Sequence, residues 1–176
     1  MNASMNHKWA ALVTYPGGDR GRAIPTTIEE LIAETDYAEE ELAGLSAFLE
    51  TEGVPALEEL FVRTFENNAD RALEVGWHLH GENYARGVFM ARMRGLLRDL
   101  GIEESVELPD HLSHMLAMLG ASDEETARAM ASGVILPALG KIEEGFTSDD
   151  NPYRGVIRGL NRFVTEVYAP PSNEKL

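Results

Sequence analysis

Apolar residues along this chain return every three or four positions, and glycine or proline cuts the runs into helix-sized lengths. The run "WAALV" at 9–13 predicts a short apolar helix that stops at Tyr15-Pro16-Gly17-Gly18. Thr26 with Glu29, and Thr27 with Glu30, have capping-box spacing and predict a helix start near Ile28. Over 38–52, Leu42, Leu45 and Leu49 form one stripe, closed by Gly53, and Pro55 suits the first turn of the next helix. That helix carries Leu57, Leu60, Phe61 and Phe65 inward until Asn67-Asn68 breaks it. The pattern then predicts helices over 70–80, ended by Gly81, and over 83–100, with Phe89, Met93, Leu96, Leu97 and Leu100 inward and Gly101 closing it. Leu112, Met115, Leu116 and Leu119 mark a further helix. Residues 123–144 read as helical with a kink or break near Gly133 forced by Pro137, and 152–168 as a last helix burying Val156, Leu160, Phe163, Val164 and Val167.

No strand alternation and no internal repeat interrupts this series. The class predicted is all-α: one domain over 1–168, a bundle of roughly seven to nine helices, then a flexible tail "APPSNEKL" at 169–176. The 176 residues suit a single core, and 44% apolar with 26% charged residues is a globular composition. The absence of cysteine excludes disulfides and thiolate metal sites. No apolar run is long enough to span a bilayer, and the start lacks the basic and apolar regions of a secretory signal, so a cytoplasmic protein is expected. The formal charge of −15, from 30 acidic and 15 basic residues, repels nucleic acid and anionic lipid and favours cationic partners.

Candidate chemistry concentrates in 102–119, "IEESVELPDHLSHMLAML". No phosphate loop, GxGxxG, GxSxG or HExxH stands anywhere in the chain. His78 and His80 are two apart and fall on different helix faces. Asp110, His111 and His114 have spacings that bring them to one side of a helix, so a metal- or cofactor-handling site is one reading. The other places Asp110 at the helix start as a cap, with His111 and His114 half-exposed opposite the leucine stripe. Glu82 and Glu107 are carboxylates without a fixed separation, and Arg94 and Arg98 are spaced for ion pairs with the abundant glutamates.

Five blocks, in order, carry a resemblance: "ALVTYP" (11–16), "LEELFVRTFE" (57–66), "WHLHGENYARG" (77–87), "ELPDHL" (107–112) and "DDNPYRGVIRGL" (149–160). Together they resemble the nitrate reductase delta-subunit family of assembly chaperones, the NarJ/TorD-like group, over nearly the whole chain. The resemblance implies the all-α TorD-like chaperone fold and no catalysis. It implies a partner, the N-terminal region of a molybdoenzyme catalytic subunit, often with a twin-arginine signal, held in the cytoplasm until the molybdenum cofactor is inserted. The cofactor belongs to the client; the chaperone, a monomer or weak dimer, carries none. Carried onto this sequence, the family pattern falls on Tyr15 and Pro16, on Gly81, Glu82, Arg86 and Gly87, on Glu107, Pro109, Asp110 and His111, and on Pro152 and Tyr153. The run after Phe65, "ENNADRALEVGWHLHGE", starts more polar than in chaperones of respiratory nitrate reductases. The client-binding set expected is therefore Tyr15, Glu82, Arg86, Glu107, Pro109, Asp110, His111, His114 and Tyr153, with Met118 lining the same groove.

Overall fold

The computed structural model describes residues 2–169. Among them run ten α-helical segments and no strand: α1 Asn2–Leu12, α2 Asp19–Glu34, α3 Ala38–Glu52, α4 Val54–Phe61, α5 Val75–His80, α6 Tyr84–Asp99, α7 Leu112–Ala121, α8 Glu124–Met130, α9 Leu136–Glu144 and α10 Tyr153–Tyr168. The fold is all-α, as the periodicity predicts. Apart from Ala169, the expected tail lies outside the described residues.

Helix α7 is apolar on nearly every face and sits in the core. Leu112, Met115, Leu116, Met118 and Leu119 are all buried in it. Helix α1 packs along it, and the buried Asn6 ties the two together, donating from Nδ2 to the Leu116 carbonyl at 2.9 Å and meeting the Tyr168 hydroxyl of α10. Helices α3 and α10 approach closely because Gly155 and Gly159 carry no side chain. A Cβ on Gly155 would stand 2.0 Å from the Glu41 carbonyl oxygen, and one on Gly159 2.5 Å from the Trp9 ring. Backbone cannot yield as a side chain can. Gly155→Ala is therefore expected to destabilise by about 2 kcal/mol despite its better helix propensity. Gly140→Ala, in open space on α9, is expected to stabilise by up to about 1 kcal/mol. Urea midpoints of the two variants check the contrast.

Some element boundaries differ from the sequence pattern. Helix α2 begins at Asp19 rather than near Ile28 and runs through Pro25, with Thr27 Oγ1 donating to the Ala23 carbonyl inside the helix at 3.1 Å. Burial of Ile24, Ile28 and Leu31 holds both sides of the proline, so the lost rung does not stop the helix. Residues 70–80 are not one helix: a 3₁₀ turn at Ala69–Arg71 precedes extended backbone, and α5 starts only at Val75. The break expected near Gly133 is present: residues 123–144 divide into α8 and α9 around a π turn, Ala131–Ile135, which leaves Pro137 in the first turn of α9. Val167 is exposed rather than buried.

Candidate functional site

Helix α4 does not end at Phe61 but widens into a π turn, Val62–Glu66, in which the Asn67 N–H donates to the Val62 carbonyl at 2.9 Å. Such turns redirect side chains and recur at functional sites. Here Phe65 is turned onto Tyr153, with ring centroids 5.0 Å apart, and Phe61 onto both Phe65 and Tyr153, at 5.1 and 5.6 Å. After the 3₁₀ turn, the extended residues around Glu74 run antiparallel to His111. Val75 N–H donates to the Asp110 carbonyl and Leu112 N–H to the Leu73 carbonyl, both at 2.8 Å. In this pattern Glu74 and His111 form the closer, non-hydrogen-bonded pair, with side chains on one face. The result is a cleft of about 540 Å³ with Phe61 and Phe65 as its floor and Asn67, Glu74, Glu107 and His111 among its walls.

The cleft is acidic. Burial raises the Glu74 carboxyl above the usual glutamate range, and the nearby Asp110 and Glu107 carboxylates push the same way against the opposing Arg86. Neither Glu74 nor Glu107 has a Lys or Arg ion-pair partner among the described residues. Glu107 has only the His111 imidazole, 3.9 Å away. Burial, and next the neighbouring His114, hold His111 down at about 4, so it is neutral at pH 7. Its Nδ1 accepts from the Ser113 N–H at 3.2 Å, capping α7 and turning Nε2 toward Glu107.

That burial sets a pH dependence. Between 6.5, its ordinary value, and about 4, the unfolded chain protonates His111 and the folded chain does not. Stability due to His111 is full above the upper value and is lost as pH falls through the window. Glu74 works in the opposite sense: its contribution is present at acid pH and lost as pH rises through its raised value. Urea titrations across the window are expected to show a shallower loss for His111→Gln than for the parent.

The structure corrects the expected surroundings of the Pro-Asp-His segment. His111 and His114 are not half-exposed: they are 4% and 5% accessible. Asp110 does not cap α7 either. It is fully buried, and its Oδ2 accepts from Arg86 Nε at 3.2 Å. Gly76 makes room for this pair, since a Cβ there would stand 2.6 Å from Asp110 Oδ2. The Arg86 guanidinium also lies over the Trp77 ring, 6.0 Å from its centroid. His114 holds the loop before α7: Nδ1 donates to the Leu108 carbonyl at 2.8 Å, leaving Nε2 to accept from the Ser105 N–H at 3.1 Å. Asp110 Oδ2, His111 Nδ1 and both His114 ring nitrogens are thus engaged by Arg86, Ser113 and the loop before α7. Among the described residues no group of three or more His, Asp or Glu is placed to hold a metal ion.

The other expected residues scatter by role. Pro109 and Met118 are buried and are not among the residues lining the cleft. Tyr153 is buried beneath the cleft floor. Tyr15 packs edge-on to Phe61, 6.0 Å away, in a neighbouring hollow that shares Asn67 with the cleft. Glu82 is exposed in the turn between α5 and α6 and is not among the residues lining the cleft. The structure therefore brings together Glu107 and His111 with Tyr15 and Tyr153 around the phenylalanine pair. It adds Glu74, which no motif marks, and Phe61 and Phe65, which their helical spacing assigns to the core. The signal for Glu74 was a single glutamate set in the apolar run "ALEVGW".

The described residues form an all-α bundle whose acidic, aromatic-floored cleft is complementary in charge to a cationic, partly apolar ligand. The chain belongs to the nitrate reductase delta subunit family, whose model matches residues 33–157 and so takes in the whole cleft. This is the NarJ/TorD-like family of assembly chaperones, which acts in molybdoenzyme maturation with molybdoenzyme catalytic subunits. No curated protein matches the chain. Among the described residues no helix is long and apolar enough to cross a membrane.

Proposed function

We propose that this protein seats a basic, partly apolar N-terminal segment of a molybdoenzyme catalytic subunit, twin-arginine signal included where the client has one, in the cleft between the π turn and the loop before α7. It holds that segment in the cytoplasm until the molybdenum cofactor is inserted, then releases it. In this reading the chain is no enzyme and carries no cofactor of its own. The observation that supports it is the pair of carboxylates, Glu74 and Glu107, standing without a Lys or Arg partner above the Phe61–Phe65 floor. A guanidinium can donate N–H bonds to two such carboxylate oxygens while its plane lies on an aromatic face. A cleft of about 540 Å³ takes one or two side chains, with the rest of the segment lying across it.

The charge of −15 would steer such a segment to the cleft. Labelled peptides from the N-termini of the host's molybdoenzyme catalytic subunits, mixed by stopped flow at low and high salt, test this. The association rate is expected to fall steeply with salt while dissociation changes little. A salt-independent association rate would leave the acidity without a part in recognition.

A further inference from the structure

A second surface stands apart from the cleft. Helices α2 and α3 run antiparallel and face each other across a hollow of about 320 Å³. Pro25, Ile28, Glu29 and Ile32 on α2 follow i, i+3, i+4, i+7 spacing, and Ser46, Leu49, Glu50 and Gly53 on α3 repeat it. Each stripe is small or apolar except at its third position, where each carries a glutamate. The hollow stays open because Ser46 and Gly53 supply little bulk: a Cβ on Gly53 would meet nothing nearer than Pro55 Cδ at 3.9 Å. Ile32 is left exposed beside it.

Charge decides what fits. Four other glutamates of these helices are paired, Glu30 and Glu34 with Lys8 and Glu40 and Glu41 with Arg162, whereas Glu39 and Glu52 have no such partner among the described residues but lie outside the hollow. Among the described residues Glu29 and Glu50 have no such partner, and no Lys or Arg lines the hollow. An apolar groove with one free carboxylate on each wall repels an anionic lipid surface and is complementary to an amphipathic helix that flanks its apolar stripe with cations. We propose that the α2–α3 groove is a second client contact, seating an amphipathic helix whose aliphatic side chains enter between Ile32 and Leu49 and whose Lys or Arg side chains pair with Glu29 and Glu50. It goes beyond the cleft reading and takes only the client from it. The client would be gripped at two separate places, so that releasing its N-terminal segment need not release the subunit.

The probe is a fluorescent synthetic helix with leucines at i, i+3, i+4 and i+7 and lysines between them, titrated by anisotropy into the full chain. Ile32→Glu, which puts a charge into the apolar contact, is expected to weaken binding by at least about tenfold. Glu29→Lys with Glu50→Lys, a surface change that leaves the core untouched, is expected to do likewise. Glu39→Gln, at an exposed α3 glutamate outside the groove, is expected to leave the affinity unchanged, which separates the groove from a general effect of surface charge. No binding of the probe, or binding indifferent to Ile32→Glu and the double lysine variant, would overturn the proposal. Loss of probe binding in Glu107→Gln alone would overturn it too, by placing the helix in the cleft. The cleft reading fails on a different result, retention of the client's N-terminal peptide by a chain lacking the Glu74 and Glu107 charges.

Discussion

Asp110→Ala is expected to lower the unfolding free energy by about 3 kcal/mol, because it strands Arg86 beside an emptied, desolvated site. Losing only a helix cap would cost about 1 kcal/mol. Arg86→Ala is expected to cost a similar amount, since the Asp110 carboxylate it leaves behind is fully buried, whereas the Arg86 side chain is 19% accessible. The double variant should then be less destabilised than the sum of the two, because neither charge is stranded. Urea unfolding of the four proteins closes the cycle. A cost near 1 kcal/mol for Asp110→Ala, with no coupling to Arg86, would return the residue to the exposed capping role that its sequence position suggests. The pair matters to the cleft through geometry: the Asp110 carbonyl is one side of the bridge that sets Glu74 opposite His111.

Glu74→Gln together with Glu107→Gln is expected to weaken a cationic client peptide by about 100-fold, each charge-assisted contact accounting for roughly 1.5 kcal/mol or more. The fold should not suffer. Glu74 is a partly buried carboxylate whose charged form is disfavoured by its surroundings, so its amide is expected to be neutral or stabilising at pH 7. The same burial makes binding pH-dependent in the parent. A client cation favours the ionised carboxylate, so affinity should rise as pH is raised through the titration of Glu74, above the usual glutamate range. Calorimetric titrations across that range check the slope, which Glu74→Gln should flatten.

The helices were legible because their stripes are long and cut by glycine, as in α3, where Leu42 and Leu45 are fully buried and Gly53 ends the helix. What failed were places where tertiary packing outweighs a local signal. The capping-box spacing at Thr26 and Thr27 reads as a helix start, yet α2 begins at Asp19 and runs through Pro25 on the strength of Ile24, Ile28 and Leu31. The 70–80 segment has helical spacing, but Leu73 and Val75 give their hydrogen-bonding edge to Leu112 and Asp110, a contact across more than thirty positions that no window of sequence contains. The site was half legible for the same reason. The run "ELPDH" marks the right loop, and Glu107 and His111 do face the cleft. Asp110 and His114 sit beside them in sequence but turn inward, because the half-buried Arg86 guanidinium and two loop backbone groups await them. The cleft floor was invisible because Phe61 and Phe65 read as ordinary core until the π turn re-aims them.

The seat of the client's cation is tested most directly by following the backbone amide resonances of the ¹⁵N-labelled chain as an N-terminal client peptide is added. The expected shifts gather at Phe65, Asn67, Glu74, Glu107 and His111, and they vanish when the peptide's arginines are replaced by glutamine. Shifts confined to other faces of the molecule, or shifts at the cleft that persist with the glutamine peptide, would contradict a cation seated between Glu74 and Glu107.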